Sequence, residues 1–276
     1  MRLGGPVRLD GDDFERYARD HAERGYTAAL CPDALHADDE RAARRFADVM
    51  ADHGLVVAEV GAWSNPMSAD PAERRQAIAH IVERLRLADL IGARTCVNIV
   101  GSKGGLHWFS PTPAGYDDGF FREAVDVTRY VIDEAKPVRT TYSVEMMPYC
   151  FLDCAEEYLR FMQAVRRPAL AVHMDVCNAV NTPRRLYGSA GFVRHTFGLL
   201  GERIVSCHLK DLTLRQDAVT VRFDEVRIGD GDMDMEAVVG CIRALPHDVP
   251  AMLEHLDSDE DYRVAAERVR RLMRMS

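Results

Sequence analysis

Ala171-Val172-His173-Met174-Asp175 is a short apolar run that ends on a carboxylate. Three other runs end in a comparable way: Tyr142-Ser143-Val144-Glu145, Ile204-Val205-Ser206-Cys207-His208 and Ala251-Met252-Leu253-Glu254. Runs of this length and composition read as buried strands. A buried carboxylate is costly without a partner, and three beside an imidazole repel unless a cation neutralises them. If the runs are neighbouring parallel strands, their ends meet at one place. The four residues then predict a Glu/Asp/His/Glu site for one divalent metal ion. Strand alternation agrees, because Ser143 with Glu145, His173 with Asp175, Ser206 with His208 and Lys210, and Met252 with Glu254 share a face.

Outward from these runs, strand-like and helix-like segments alternate along the whole chain. Helical patterns over 12–24, 38–53, 71–90, 120–136, 154–165, 193–200, 235–245 and 261–275 separate strand-like runs. Those runs lie at 26–31, 55–61, 95–101, 141–146, 170–175, 203–209, 219–228 and 251–256. Eight strands and about eight helices in strict order predict an α/β chain folded as a single (β/α)8 TIM barrel over residues 1–276. A doubly wound sheet would favour a glycine-rich turn after the first strand, and Cys31-Pro32-Asp33 supplies none. In this count the extended segment 219–228 is the seventh strand and contributes no ligand. The stretch 102–119, with glycines, prolines and Trp108, is too long for a plain connection and is expected to cover the site.

Composition narrows the function classes. A net charge of −9 argues against a nucleic-acid partner, since phosphate binding needs basic surface. No apolar window is long enough to span a bilayer, so no membrane partner is expected, and the first residues do not resemble a secretory leader. The seven cysteines contain no Cys-x-x-Cys pair and read as reduced thiols, so a cytoplasmic protein is expected. Lysine occurs only at positions 103, 136 and 210, which sets Lys210 apart two residues after His208.

Five motifs resemble the xylose-isomerase-like TIM-barrel superfamily of sugar phosphate isomerases and epimerases, which also contains endonuclease IV-type nucleases. They are Val144-Glu145-Met146-Met147-Pro148, Met174-Asp175-Val176-Cys177-Asn178, Cys207-His208-Leu209-Lys210-Asp211, the glycine-aspartate turn 228–234, and Leu253-Glu254-His255-Leu256. The resemblance covers nearly the whole chain. It implies that Glu145, Asp175, His208 and Glu254 bind one metal, with Glu145 and Glu254 also acting as acid and base on opposite faces of a sugar. The implied activity is isomerisation or epimerisation by proton transfer α to a carbonyl, through an enediolate. Three carboxylates and one imidazole favour Mn²⁺, with Mg²⁺ or Co²⁺ as alternatives. The wording around Glu145 and Glu254 also resembles C-glycoside deglycosidase subunits. That implies the alternative of a lyase eliminating the aglycone from a 3-keto-glycoside, paired with a small subunit; otherwise a homo-oligomer is expected.

The nucleases of the superfamily carry extra histidines, and here Asn178 and the stretch 223–227 stand in their places. Further candidates for contact with a small carbohydrate substrate are Lys210, Asn178, Trp63, His107 and Arg227. Lys210 is suited to a substrate oxygen or a ligand carboxylate, with a salt bridge to Asp211 or another acid as the plainer alternative. Trp63 could wall a sugar face or simply pack under a loop. His107 belongs to the expected lid, and Arg227 suits a polar substituent unless it is solvated.

Overall fold

The computed structural model describes residues 1–275. Among these residues the strands are β1 (Arg2–Gly4), β2 (Ala28–Leu30), β3 (Val56–Gly61), β4 (Thr95–Ile99) and β5 (Thr141–Glu145). They continue with β6 (Leu170–Asp175), β7 (Ile204–Leu209), β8 (Asp211–Leu214), β9 (Phe223–Val226) and β10 (Pro250–Leu253). Eight of them close a barrel in the order β1-β10-β7-β6-β5-β4-β3-β2, every pairing parallel. The (β/α)8 barrel expected from the alternation is what forms. Its main core lies between the strands and the surrounding helices, as in Phe46, Leu85, Val131, Phe161 and Val239, all fully buried.

The helices start and stop where local chemistry permits. The longest, Pro71–Ile91, begins on Asp70, whose side chain accepts from the N–H groups of Ala72 and Glu73. Pro71 occupies the first turn, where its missing N–H costs nothing, and Gly92 ends the helix at φ 69°. Asp13, Asp39 and Asp234 cap the helices Phe14–Glu23, Glu40–Asp52 and Met235–Arg243 in the same way.

Two expectations about the strands are corrected. The barrel strand beside β10 is β1, at the very start of the chain: Leu3 pairs with Ala251, and Gly4 with both Met252 and Ala28. A three-residue strand running into Gly4-Gly5-Pro6 carries no periodicity of its own, and only two flanking strands define it. The segment 219–228 is not a barrel strand. Its residues Phe223–Val226 pair antiparallel with β8 in a separate two-stranded ribbon, which follows directly on β7. The ribbon segment is half-exposed and mixes polar with apolar residues, as antiparallel strands with one wet face do, whereas a barrel strand such as β6 is buried throughout. With β1 in place, the strands bearing the four ligand candidates are direct neighbours, with no silent slot between them.

Candidate metal centre

Each of the four residues sits at a strand's carboxyl end. Glu145 ends β5, Asp175 ends β6, His208 is the penultimate residue of β7, and Glu254 follows β10. Asp175 and Met252 both lie in register with His208 across its two flanking strands. One ligand-capable atom from each of Glu145, Asp175, His208 and Glu254 falls within 4.8 Å of the others. Nδ1 of His208 is 2.9 Å from Glu254, 3.7 Å from Glu145 and 3.8 Å from Asp175.

The donor atoms fit a hard divalent cation. Oδ2 of Asp175, Nδ1 of His208 and Oε2 of Glu254 are all buried and none has a properly oriented hydrogen-bond partner. Native interiors leave few such atoms, and these three converge on one point. Three carboxylates with one imidazole suit oxygen-preferring ions. Lys210 partly balances the charge, its Nζ lying 2.7 Å from Asp175 Oδ2 and 3.0 Å from Glu254 Oε2. It is therefore tied to the ligand carboxylates and not to Asp211. The Asp211 side chain instead accepts from the N–H groups of Gly229, Gly231, Leu212 and Met233, filling the turn that superficially resembles a phosphate cradle. A Cβ at position 231 would collide with that carboxylate.

The environments of the carboxyls differ. Burial pushes the Glu145 carboxyl up, and the nearby Asp175 adds to this, against the pull of His208. Burial also works to raise Glu254, but His208, Lys210 and His255 together outweigh it and hold that carboxyl low. For Asp175, burial is likewise outweighed, by Lys210 and His208. Burial alone would lower His208, yet the carboxylates of Glu254 and Glu59 raise it well above the usual imidazole range.

Of the proposed substrate contacts, Lys210, Asn178 and Trp63 lie at the site. Asn178 donates from Nδ2 to Glu145 Oε1 at 2.7 Å, and its Oδ1 accepts from Lys210 at 3.4 Å, so it bridges a ligand and the cation. Trp63 stands in the walls of two cavities, about 570 and 530 Å³, which also share Glu254. The second cavity has an aromatic side made by Trp63, Trp108, Phe109 and Tyr149 above Glu145 and Lys210. The long loop thus does reach the site, through Trp108 and Phe109. His107 does not: its ring is exposed and stacks on Phe109 at 5.3 Å. Arg227 is not brought there either, because Asp230 and Asp261 hold its guanidinium outside both cavities.

Three contributors escaped the sequence reading. Glu59, from the run Val56-Val57-Ala58-Glu59-Val60, is 2% exposed and lies 3.0 Å from His208 Nε2 and 3.2 Å from His173 Nδ1. Burial works to raise it, but the two histidines outweigh burial and hold it at about 2. Its signal, a lone carboxylate in an apolar run, was the one that marked Glu145, Asp175 and Glu254, but it sits inside the run and not at its end. Glu225, on the ribbon, reaches back to within 3.7 Å of Lys210 and 2.7 Å of His255. Tyr149 lines the aromatic side of the second cavity. His255 takes φ 55°, a left-handed conformation unusual for a residue with a side chain, and so turns its ring toward Glu254 and Glu225.

A family model described as xylose isomerase-like TIM barrel matches residues 18–274. The chain belongs to that family. Among solved structures, this xylose isomerase-like barrel is similar to an L-ribulose 3-epimerase, with 17% identity and a TM-score of 0.70 over 100% of this chain and 94% of that one. Endonuclease IV from Thermus thermophilus is 17% identical, with a TM-score of 0.74 and all of both chains covered. A xylose isomerase-like protein from Mycobacterium smegmatis in complex with magnesium is 18% identical, with a TM-score of 0.67 over 98% and 92%. At these identities the likeness is one of fold. No curated protein sequence matches the chain.

Proposed function

We propose that the protein is a divalent-metal-dependent isomerase or epimerase of an unphosphorylated sugar, moving a proton α to its carbonyl. The observation that carries this reading is the convergence of Glu145, Asp175, His208 and Glu254, of which Glu145 and Glu254 line an aromatic-walled cavity. Those four would hold the ion, Mn²⁺ by preference, and the ion would stabilise negative charge developing on the substrate oxygens. Glu254 and Glu145 are the two carboxylates at hand to remove the proton and to return it. Asn178 orients Glu145, and Lys210 is placed to keep Glu254 and Asp175 ionised and to donate to a hydroxyl. Trp63, Trp108 and Phe109 offer flat faces for the C–H side of a sugar ring and exclude water from the carboxylates.

Charge supports an unphosphorylated substrate. The cationic groups lining the two cavities are Lys210, His208 and His255, and each is already paired with carboxylates. Among the side chains lining the cavities, a phosphate dianion would meet Glu145, Glu225 and Glu254 and no unpaired cationic group. This charge pattern supports a small neutral carbohydrate as the partner over a nucleic acid.

Solvent exchange tests the reading directly. Neutral ketoses, 3-keto-glycosides and their phosphorylated counterparts would be incubated in D2O with Mn²⁺, and deuterium at the α carbon measured by NMR. Incorporation into a neutral sugar, lost on chelation, is the expected result. Exchange only in phosphorylated sugars, or exchange that survives metal removal, overturns the proposal. Release of an aglycone alongside exchange would instead indicate the eliminating alternative.

A further inference from the structure

Among the described residues, the strands β1, β2 and β3 bury one charged side chain inside the barrel, and it is Glu59. Strand β3 lies diametrically across the barrel from β7, four places away in the strand order. Glu59 therefore spans the axis to reach Nε2 of His208 at 3.0 Å. The other ring nitrogen, Nδ1, faces the three carboxylates and has no hydrogen-bond partner. An imidazole with one proton can bind a metal only through the nitrogen that lacks it, so whatever fixes that proton fixes the ligand.

We propose that Glu59 is a positioning residue of the metal centre. By accepting the proton-bearing Nε2 of His208 it leaves Nδ1 as a free donor toward Glu145, Asp175 and Glu254. This inference rests on the metal-dependent reading of the site. Glu59 is itself held in place. Its Oε2 is 3.2 Å from His173 Nδ1, and that nitrogen is 2.5 Å from the hydroxyl of Ser206, two residues before His208 on the same strand. The rings of His173 and His208 meet edge to face with centroids 4.1 Å apart. Ser206 and His173 are thus hydrogen-bonded to each other and packed against the buried Glu59–His208 pair. Outer carboxylates of this kind fix the tautomer of a ligating histidine and raise its basicity, and their loss commonly weakens metal binding about 10- to 100-fold.

The test measures metal binding and the proton's position, not turnover. Wild type, Glu59→Gln and Glu59→Ala, each stripped of metal, would be titrated with Mn²⁺ and with Mg²⁺ by calorimetry. Long-range ¹H–¹⁵N NMR on the Mg²⁺-loaded wild type would report which nitrogen of His208 carries hydrogen. The expected result is Nε2–H in the wild type and metal affinity about 10- to 100-fold weaker in Glu59→Ala. Affinity should fall much less in Glu59→Gln, whose amide oxygen accepts the same hydrogen bond. A purely structural carboxylate would not separate the two variants at equal melting temperature. Equal affinity in wild type and Glu59→Ala, or a proton on Nδ1 in the loaded wild type, overturns the proposal. The NMR measurement decides even if the alanine variant does not fold. A wild type that binds neither ion would sink the metal reading itself, whereas binding unaffected by Glu59→Ala sinks only this inference.

Discussion

The two halves of the barrel wall place opposite chemistry inside it. Strands β5, β6, β7 and β10 end on Glu145, Asp175, His208 and Glu254, and beneath the first three lie Ser143, His173 and Ser206, all fully buried. In the other half, Gly4, Ala28 and Ala58 are small, and Ala28 and Ala58 form a small apolar cluster, apart from the main core, with Met252 of β10, against which Gly4 also packs. A set of buried charges needs hydrogen-bonding neighbours along the wall from which it hangs. The opposite wall needs clearance, and its small residues leave room for Glu59 to cross. The difference teaches that one half carries the ligand candidates, while the other supplies small residues and a single crossing carboxylate, Glu59.

Substitutions should respect that division. Glu254→Gln is expected to cut α-proton exchange by about 10³-fold, roughly 4 kcal/mol in barrier, while the circular dichroism spectrum stays unchanged. Exchange at the wild-type rate would remove Glu254 from the chemistry. Lys210→Met should destabilise the metal-free protein by about 3–5 kcal/mol, since it strands buried carboxylates, and much less when metal is bound. Urea melts of the two forms make the comparison, and equal losses would mean that Lys210 and the ion do not share the same charges.

Saturating metal should itself stabilise the protein. At about a hundredfold excess over the dissociation constant the gain is about 2.7 kcal/mol, or roughly 5–10 °C in melting temperature. A melting temperature insensitive to every divalent ion would break the comparison at its strongest point. On the apolar side, Gly4→Ala sets a methyl about 2.5 Å from the Ala28 carbonyl and the Met252 side chain. It should cost about 1–3 kcal/mol of stability with exchange activity retained. Loss of activity at unchanged stability would show that this wall does more than fit. The smallest effect belongs to Arg227→Ala. It breaks partly exposed ion pairs to Asp230 and Asp261, so stability should fall by no more than about 1 kcal/mol and exchange rates should stay within about twofold. A large loss of substrate affinity would restore Arg227 to the site.

The alternation of strands and helices was legible because each element carries its own period and its own caps, as at Asp70, Pro71 and Gly92. The four ligand candidates were legible for a related reason: a charged residue closing an apolar run is locally anomalous. Strand β1 was not, because three residues hold no period, and the pairing of Leu3 with Ala251 is what makes them a strand. The ribbon segment was misplaced because an extended pattern does not say which sheet it will join. His107 and Arg227 were drawn toward the site by nearness in sequence, yet ring stacking and ion pairing settle them elsewhere.

Local chemistry in the chain thus determined the barrel class and which residues are too polar for where they sit. The tertiary structure decided what depends on bringing distant elements together: that Glu59 meets His208 across the axis, that Lys210 lies between Asp175 and Glu254, and that the ribbon returns Glu225 to the mouth. The reason is physical. Periodicity and capping act over a few residues, whereas Glu59 and His208 are 149 positions apart and become neighbours only when the sheet closes.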